Sequence, residues 1–246
     1  MSRVIGVIPT KNEADNWLDA CLTWASNYRD HIVVLDDQSD DDTVAIAEKH
    51  TPYVWSRPDF DPPLLEHEAH FRQSLWDAME QSVDPEDGDW ILAFDADEFL
   101  VGGFDDRISH RLALLREAAD EMGASSVKLS RPEIWELGQP PKYRTDGYWQ
   151  TEAVRFVKWT PNAKFLNRNM ACGSVPKNLM PPLPARSVQL LHLGYSSEES
   201  RKHHFHRYNT MKDHGHNKRH VASIIDPSPT LTEYHGPMPQ LWKGVR

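Results

Sequence analysis

The sequence predicts an α/β fold, a mostly parallel central sheet flanked by helices, and three observations carry that prediction. Short apolar runs alternate with amphipathic helical stretches through residues 4–129, the pattern of βαβ units with right-handed crossovers. Several of those runs stop abruptly at acidic loops, as strands do where an open sheet keeps its ligand at the carboxyl edge. The chain has 246 residues, 39% apolar and 26% charged, enough for an ordinary globular protein to bury a sizeable core.

Taken in order, Val4-Ile-Gly-Val-Ile8 is a strand closed by Pro9. Ala14, Trp17, Leu18, Cys21, Leu22 and Ala25 then keep the i, i+3, i+4, i+7 spacing of an amphipathic helix. Ile32-Val-Val-Leu35 is the second strand and ends in Asp36-Asp37. Thr43 to Lys49 forms a short helix, Tyr53-Val-Trp55 a strand, Ala69 to Met79 a helix, and Trp90 to Phe94 the fourth strand. Ile108, Leu112, Leu115, Ala119 and Met122 mark another helix, and Ser126-Val-Lys-Leu129 another strand.

Beyond about Arg131 the pattern changes to short β-like pieces, Ala153-Val-Arg-Phe-Val157 and Val188-Gln-Leu-Leu-His192, separated by Pro-rich loops such as Met180-Pro-Pro-Leu-Pro184. Ser196-x-x-Glu199 reads as a capping box that opens a polar helix running to about Lys212. The stretch from Asp226 to Arg246 reads as a loop-rich tail. The expected organisation is one compact domain with an α/β half at 1–130, a smaller mixed half at 131–222 and a Pro-rich tail at 223–246.

Composition excludes several classes. With 27 Lys and Arg against 37 Asp and Glu the net charge is −10, so no global attraction to nucleic acid or anionic lipid is expected. No run is long enough to span a membrane, and Met1-Ser-Arg-Val-Ile-Gly lacks the hydrophobic core of a secretion signal, so the expected location is cytoplasmic. Two cysteines, Cys21 and Cys172, are too few for a disulfide framework and lack zinc spacing. Cys21 lies on an apolar helical face and is expected in the core.

The chemistry concentrates in Trp90-Ile-Leu-Ala-Phe-Asp-Ala-Asp-Glu98. Residues two apart in an extended segment point to one side, so Asp95 and Asp97 converge while Ala96 turns away. Paired hard oxygens suit Mg²⁺ or Mn²⁺, and a divalent ion there points to a phosphate ester as ligand. Three further segments share the same sheet edge or lie near it: Pro9-Thr-Lys-Asn-Glu13, Asp36-Asp-Gln-Ser-Asp-Asp-Asp-Thr43, and Arg72 on the third helix.

This arrangement resembles the family-two glycosyltransferases of the GT-A fold, which open with a strand, P-x-x-N-E, a helix and a strand ending in D-D-x-S-x-D-x-T. Pro9, Asn12 and Glu13 fit the first motif, and Asp36, Asp37, Ser39, Asp41 and Thr43 the second. The resemblance implies a nucleotide-sugar transferase fold with Thr10 and Asp37 near the nucleobase, Asp37 accepting an N–H of uracil. It implies that Arg72 approaches the base and diphosphate, and that Asp95 and Asp97 hold the donor ribose and a metal, Asp97 as the direct ligand. Leu190-Leu-His-Leu-Gly-Tyr195 resembles the family's late H-x-G-Y segment, which implies His192 as a second ligand.

The implied activity is metal-dependent transfer of a sugar, with Mn²⁺ or Mg²⁺, from a nucleoside-diphosphate sugar, UDP-sugar favoured, to a hydroxyl, with inversion. The acceptor is open among a protein side chain, a glycan, a lipid-linked sugar, a small molecule and a modified nucleic-acid base. Inversion needs a general base at the acceptor hydroxyl, and Ala171-Cys-Gly-Ser-Val-Pro-Lys177 does not carry the family's later acidic motif. Glu133 and Asp146 are the expected catalytic carboxylates, with Glu136 a further candidate. Nearby Trp135, Tyr148 and Trp149 are expected as core packing, with stacking on sugar faces as the functional alternative. The run Lys202-His-His-Phe-His-Arg-Tyr208 reads as a solvated helix face or as Lys and Arg groups touching the donor's phosphates.

Competing classes are separable. Phosphohydrolases of the haloacid dehalogenase type carry Thr or Val where Phe99 stands here, and sugar nucleotidyltransferases open with a Gly-rich loop unlike Ile8-Pro-Thr-Lys-Asn12. A nucleotide-sugar binder without catalysis is the remaining alternative.

Overall fold

A computed structural model describes residues 2–102, 108–168, 172–177, 179, 182–210 and 218–239. Its eight-stranded sheet has the order β3-β2-β1-β4-β9-β6-β10-β5. The first four are β1 (Val4–Thr10), β2 (His31–Asp36), β3 (Val54–Ser56) and β4 (Trp90–Ala93), all mutually parallel. Strands β1, β2 and β4 are buried on both faces and read as continuous apolar runs, which is why the sequence reveals them, whereas β3 is a short, largely exposed edge strand.

Their side chains alternate between two cores. Val4, Ile8, Ile32, Val34 and Leu92 pack on α1 (Leu18–Ala25) and α4 (Ile108–Glu121). Ile5, Val7, Val33, Leu35 and Ile91 pack on α3 (Glu68–Val83). Helix α2 (Thr43–Glu48) adds Ala47 to the first core. Cys21 is fully buried there, as expected. Parallel pairing brings Thr10 and Asp36 together at one edge, and the chain leaving β4 delivers Asp95 and Asp97 to the same edge.

The other half of the sheet is mixed. Strand β9 (Gln150–Lys158) runs antiparallel to both β4 and β6 (Ser126–Pro132), and β10 (Leu183–His192) runs parallel to β6. Strand β5 (Glu98–Val101) turns back after the acidic loop and pairs antiparallel with β10, setting His192 opposite Glu98. An isolated bridge joins His192 to Glu133. These pairings carry His192 and Glu133 to the acidic loop.

A small antiparallel sheet joins β7 (Ile134–Glu136), β8 (Lys142–Arg144) and β11 (Leu231–Glu233), so the described part of the predicted tail contains a strand. Two helices, α5 (Glu198–Thr210) and α6 (Lys218–Ser223), follow β10. The N-cap lies one residue beyond the predicted capping box: Ser197 Oγ accepts the Ser200 N–H at 3.1 Å, while Ser196 N–H bonds back to Leu193 O. Ser196 is therefore part of the preceding turn, and Ser197 caps the helix. The predicted end of that helix near Lys212, the histidines at 214 and 216, residues 171, 180 and 181, the Tyr148 side chain and residues 240–246 lie outside the described residues. Among the described residues no helix is long and apolar enough to cross a membrane.

Candidate functional site

The two amino-terminal motif loops are tied to each other by the residue types that define them. Asp36 accepts the Thr10 hydroxyl at 3.1 Å, the Ser39 N–H at 2.7 Å and the Ser39 hydroxyl at 2.6 Å. Ser39 Oγ in turn accepts the Asn12 N–H, and Asn12 Oδ1 accepts the Asp40 N–H. Thr43 Oγ1 accepts the Glu13 N–H at 2.7 Å, and Asp41 accepts the N–H groups of Ala14 and Thr43. Asn12 and Gln38 have φ of 52° and 58°, the left-handed region that Asn tolerates better than most side chains. Pro9 lies in β1 itself, paired with Leu35.

Asp37 is buried and already engaged. One carboxylate oxygen receives Arg57 Nε in a short hydrogen bond, and the other accepts the Leu64 N–H at 3.0 Å. Arg57 also donates to Gln38 Oε1 at 2.9 Å and to Asp61 O. The motif aspartate is thus the anchor of a strap formed by residues 57–64, and Arg57 is a contributor for which the sequence offered no motif.

Around Asp95 the structure assembles a compact ionic cluster. Arg72 Nη2 donates to Asp95 Oδ1 at 3.1 Å, and Arg155 Nη2 donates to Asp95 Oδ2 at 3.0 Å and Glu98 Oε1 at 2.7 Å. Arg131 bridges Glu98 Oε1 at 3.0 Å and Glu133 Oε1 at 2.6 Å. Glu98 Oε2 accepts the Asp95 N–H at 3.0 Å, which fixes the loop backbone. Burial raises the Asp95 pKa, but Arg155 and Arg72 outweigh it and hold the carboxyl well below its ordinary range. Ala96 turns into the first core, away from the acids.

Asp97 and His192 face each other, with His192 Nε2 3.4 Å from Asp97 Oδ2. The other ring nitrogen, Nδ1, makes a short hydrogen bond to Glu133 Oε2, so the ring is fixed with Nε2 toward Asp97. Burial opposes charge on both, yet their mutual attraction lowers the Asp97 pKa, and Glu133 with Asp97 raises that of His192. Asp97 Oδ1 is buried without a hydrogen-bond partner. Gly194 makes the approach possible: a Cβ there would collide with Asp97 Oδ2 and lie 3.0 Å from His192 Nε2. Among the described residues no group of three or more His, Cys, Asp or Glu side chains gathers as a ready-made metal centre.

Helix α5 lies over this pair. His204 packs on Tyr195 with ring centroids 4.8 Å apart, and Tyr195 meets His192 edge-on at 5.5 Å. Arg207 Nη2 donates to His204 Nδ1 at 2.9 Å, while Arg207 Nε is buried without a partner. Burial, then Arg207, pushes the His204 pKa down to about 3, so this imidazole is neutral. Glu13 reaches the same space, its pKa raised to about 8 by burial and then by Asp97.

The remaining candidates lie differently. Glu133 is 1% exposed and, besides His192 and Arg131, accepts the Thr151 hydroxyl at 3.1 Å. Burial opposes its charge, but His192 and Arg131 bring its pKa to about 2. Asp146 pairs with Arg144 at 2.5 Å, beside the small sheet, and Glu136 pairs with Lys142. Trp135 and Trp149, 3% and 2% exposed, form a third core with Tyr195, Tyr208, Val221 and Ile224. Arg144 lies over both indoles, 4.7 and 5.0 Å from their centroids. These tryptophans therefore pack the interior, and the stacking alternative is set aside.

Residues 7–108, somewhat under half of the chain, match the family model described as glycosyl transferase family 2. No curated protein is matched. Among solved structures, S. aureus TarS is matched at 12% identity over 91% of this chain and 42% of that chain, with a TM-score of 0.50. A piece of it, TarS 1–349, is matched at 12% identity over 91% of this chain and 69% of that one, with a TM-score of 0.52. The same piece in complex with UDP-GlcNAc gives 11%, 91%, 70% and 0.52. The chain thus spans less than half of the first of these, and at such identities the likeness is one of fold.

Proposed function

We propose that this family-2-like glycosyltransferase of GT-A fold moves a sugar from a nucleoside-diphosphate sugar, a uridine donor favoured, to a hydroxyl acceptor, with inversion and with a divalent cation at Asp97 and His192. The observation that carries the reading is the convergence of Asp95, Asp97 and His192 at the edge where β1 and β2 end. TarS 1–349 has been crystallised with UDP and with UDP-GlcNAc, which supports the uridine preference through shared fold.

The residues present fit a cation. Asp97 Oδ1 is buried and without a partner, and His192 presents Nε2 beside Oδ2. A mixed carboxylate and imidazole pair suits Mn²⁺ better than Mg²⁺, and Asp97 and His192 are the side chains that would hold the ion. Bound there, the ion supplies positive charge against the leaving diphosphate.

The chain's own groups do the rest. Glu133 acts through His192 as a positioning residue, holding the ring with Nε2 toward Asp97 as carboxylate partners of metal-bound histidines do. Arg72 and Arg155 keep Asp95 ionised and oriented toward the ribose. Arg207, with its buried unpaired Nε, and the neutral His204 face the diphosphate from α5. Asp37, through Arg57 and Leu64, fixes the wall against which the base rests.

Calorimetric titration of UDP with and without Mn²⁺ tests the site: Asp97→Ala loses the metal-dependent part of the affinity, and wild-type affinity in that variant refutes the assignment. One observation favours a second reading, donor binding without transfer. The buried carboxylates Glu98 and Glu133 are both held by arginines, which disfavours either as a base. Release of UDP from UDP-sugars in the presence of Mn²⁺ decides between them, since a pure binder releases none.

A further inference from the structure

Beside Asp95 the surface of the sheet is hollow. A cavity of about 380 Å³ lies between Thr151–Arg155 of β9 and the 173–175 loop, with Arg131 in its wall. That volume falls within the range of small-molecule sites. Its back wall is continuous with the ionic cluster, because Arg155 and Arg131 belong to both.

The backbone directs Arg155 there. Strand β9 slips register against β6, with Val127 facing Phe156 and Lys128 facing Val154, so Arg155 is the extra residue of a β-bulge. Bulges beside active sites re-aim a side chain in this way. Arg155 spends Nη2 on Asp95 and Glu98, while its Nε is buried with no hydrogen-bond partner. A buried N–H without an acceptor is costly, and the residue that carries it lines the cavity wall. The Arg131 side chain is 22% exposed, and Ser174 and Thr151 add hydroxyls at the wall. Glu152 does not oppose an anion strongly, because Lys128 neutralises it at 2.6 Å.

We propose that this cavity is the acceptor subsite and that it takes a small hydroxylated acceptor carrying an anionic group, a carboxylate or a phosphate monoester, bound by Arg155 and Arg131. The inference rests on the proposed donor position. Arg155 touches Asp95 on one side and the cavity on the other, so a molecule seated there lies beside the donor held at Asp95. Ala153, Val154 and Val175 line the space with apolar surface that suits the carbon body of a short acceptor.

Saturation-transfer NMR on the full chain with Mn²⁺ and UDP tests it, using glycerol 3-phosphate, D-glycerate and neutral glycerol as probes. At about 10 mM, where millimolar sites fill, at least one anion is expected to bind and glycerol not; which anion binds distinguishes phosphate from carboxylate. Ser174→Trp, which fills the cavity from its loop side, is expected to abolish that signal and leave UDP affinity unchanged. Val175→Phe is an independent filling substitution should the first fail to fold. Equal binding of glycerol, anion binding that survives both substitutions, or no anion binding to the wild type overturns the proposal. Absence of UDP binding in the wild type strikes the donor reading instead, and the anion result is then read without UDP.

Discussion

Glu98→Ala tests whether the ionic cluster is one coupled unit. Glu98 is 0% exposed, and its carboxylate receives Arg131 Nη1, Arg155 Nη2 and the Asp95 N–H at 3.0, 2.7 and 3.0 Å. Removing one side of a buried pair costs about 3–5 kcal/mol because the other charge is left uncompensated. Here Arg155 retains Asp95 and Arg131 retains Glu133, which argues for the low end, about 3 kcal/mol. In a chain of this size each kcal/mol moves Tm by about 2–4 °C, so a loss of about 6–12 °C is expected. Calorimetry gives Tm, and urea unfolding followed by tryptophan fluorescence gives the free energy. Because Glu98 also anchors the Asp95 backbone, UDP affinity falls with stability. Glu98→Gln keeps an acceptor oxygen and loses less. A Glu98→Ala shift below about 2 °C, less than about 1 kcal/mol, with UDP binding intact would refute the coupling.

Three other outcomes follow from single contacts. Gly194→Ala places a methyl group against Asp97 and His192, so Mn²⁺ affinity measured by electron paramagnetic resonance is expected to drop at least tenfold while the circular dichroism spectrum stays unchanged. Trp135→Ala removes a core indole and is expected to cost about 3–5 kcal/mol in urea unfolding, against a pure change in acceptor affinity if the ring were a sugar platform. The carboxyl of Asp89 has its pKa lowered: burial acts upward, but the Arg3 side-chain bond and two backbone N–H groups outweigh it. A depressed folded pKa gives stability that is full above the unfolded value near 3.9 and is lost as pH falls through the folded value. The stability gap between wild type and Asp89→Asn is therefore expected to be widest at neutral pH and to shrink below about pH 4, as read by urea midpoints across pH.

The amino-terminal half was legible because two kinds of signal agree there. Strands buried on both faces must be apolar throughout, and the polar residues after them bond to each other across only about thirty positions, as Asn12, Asp36 and Ser39 do. Strand β5 gave neither signal. It has four residues, starts on a glutamate and finds its partner in β10, which begins at Leu183, so only tertiary pairing defines it. The three-residue strands of the small sheet are equally silent. The tryptophans beside them are shared between Arg144 and a core that α5 and α6 complete from the far end of the chain.

The site was legible in its acids and in one cation, Arg72, but not in Arg131 and Arg155, and electrostatics explains why. Asp95, Asp97, Glu98 and Glu133 cannot all be ionised in one partly buried cluster without compensation, so the acids alone imply that positive groups must come from somewhere. Arg131 and Arg155 come from single positions in strands, one of them a bulge, and carry no motif. Arg72 and Arg155 answer Asp95, Arg131 and Arg155 answer Glu98, and Arg131 answers Glu133. Among the described contacts Asp97 has only His192, and one of its oxygens has nothing. The arginines thus neutralise every acid of the cluster but one, and the one they leave, Asp97, is the carboxylate at which the proposed function places the cation.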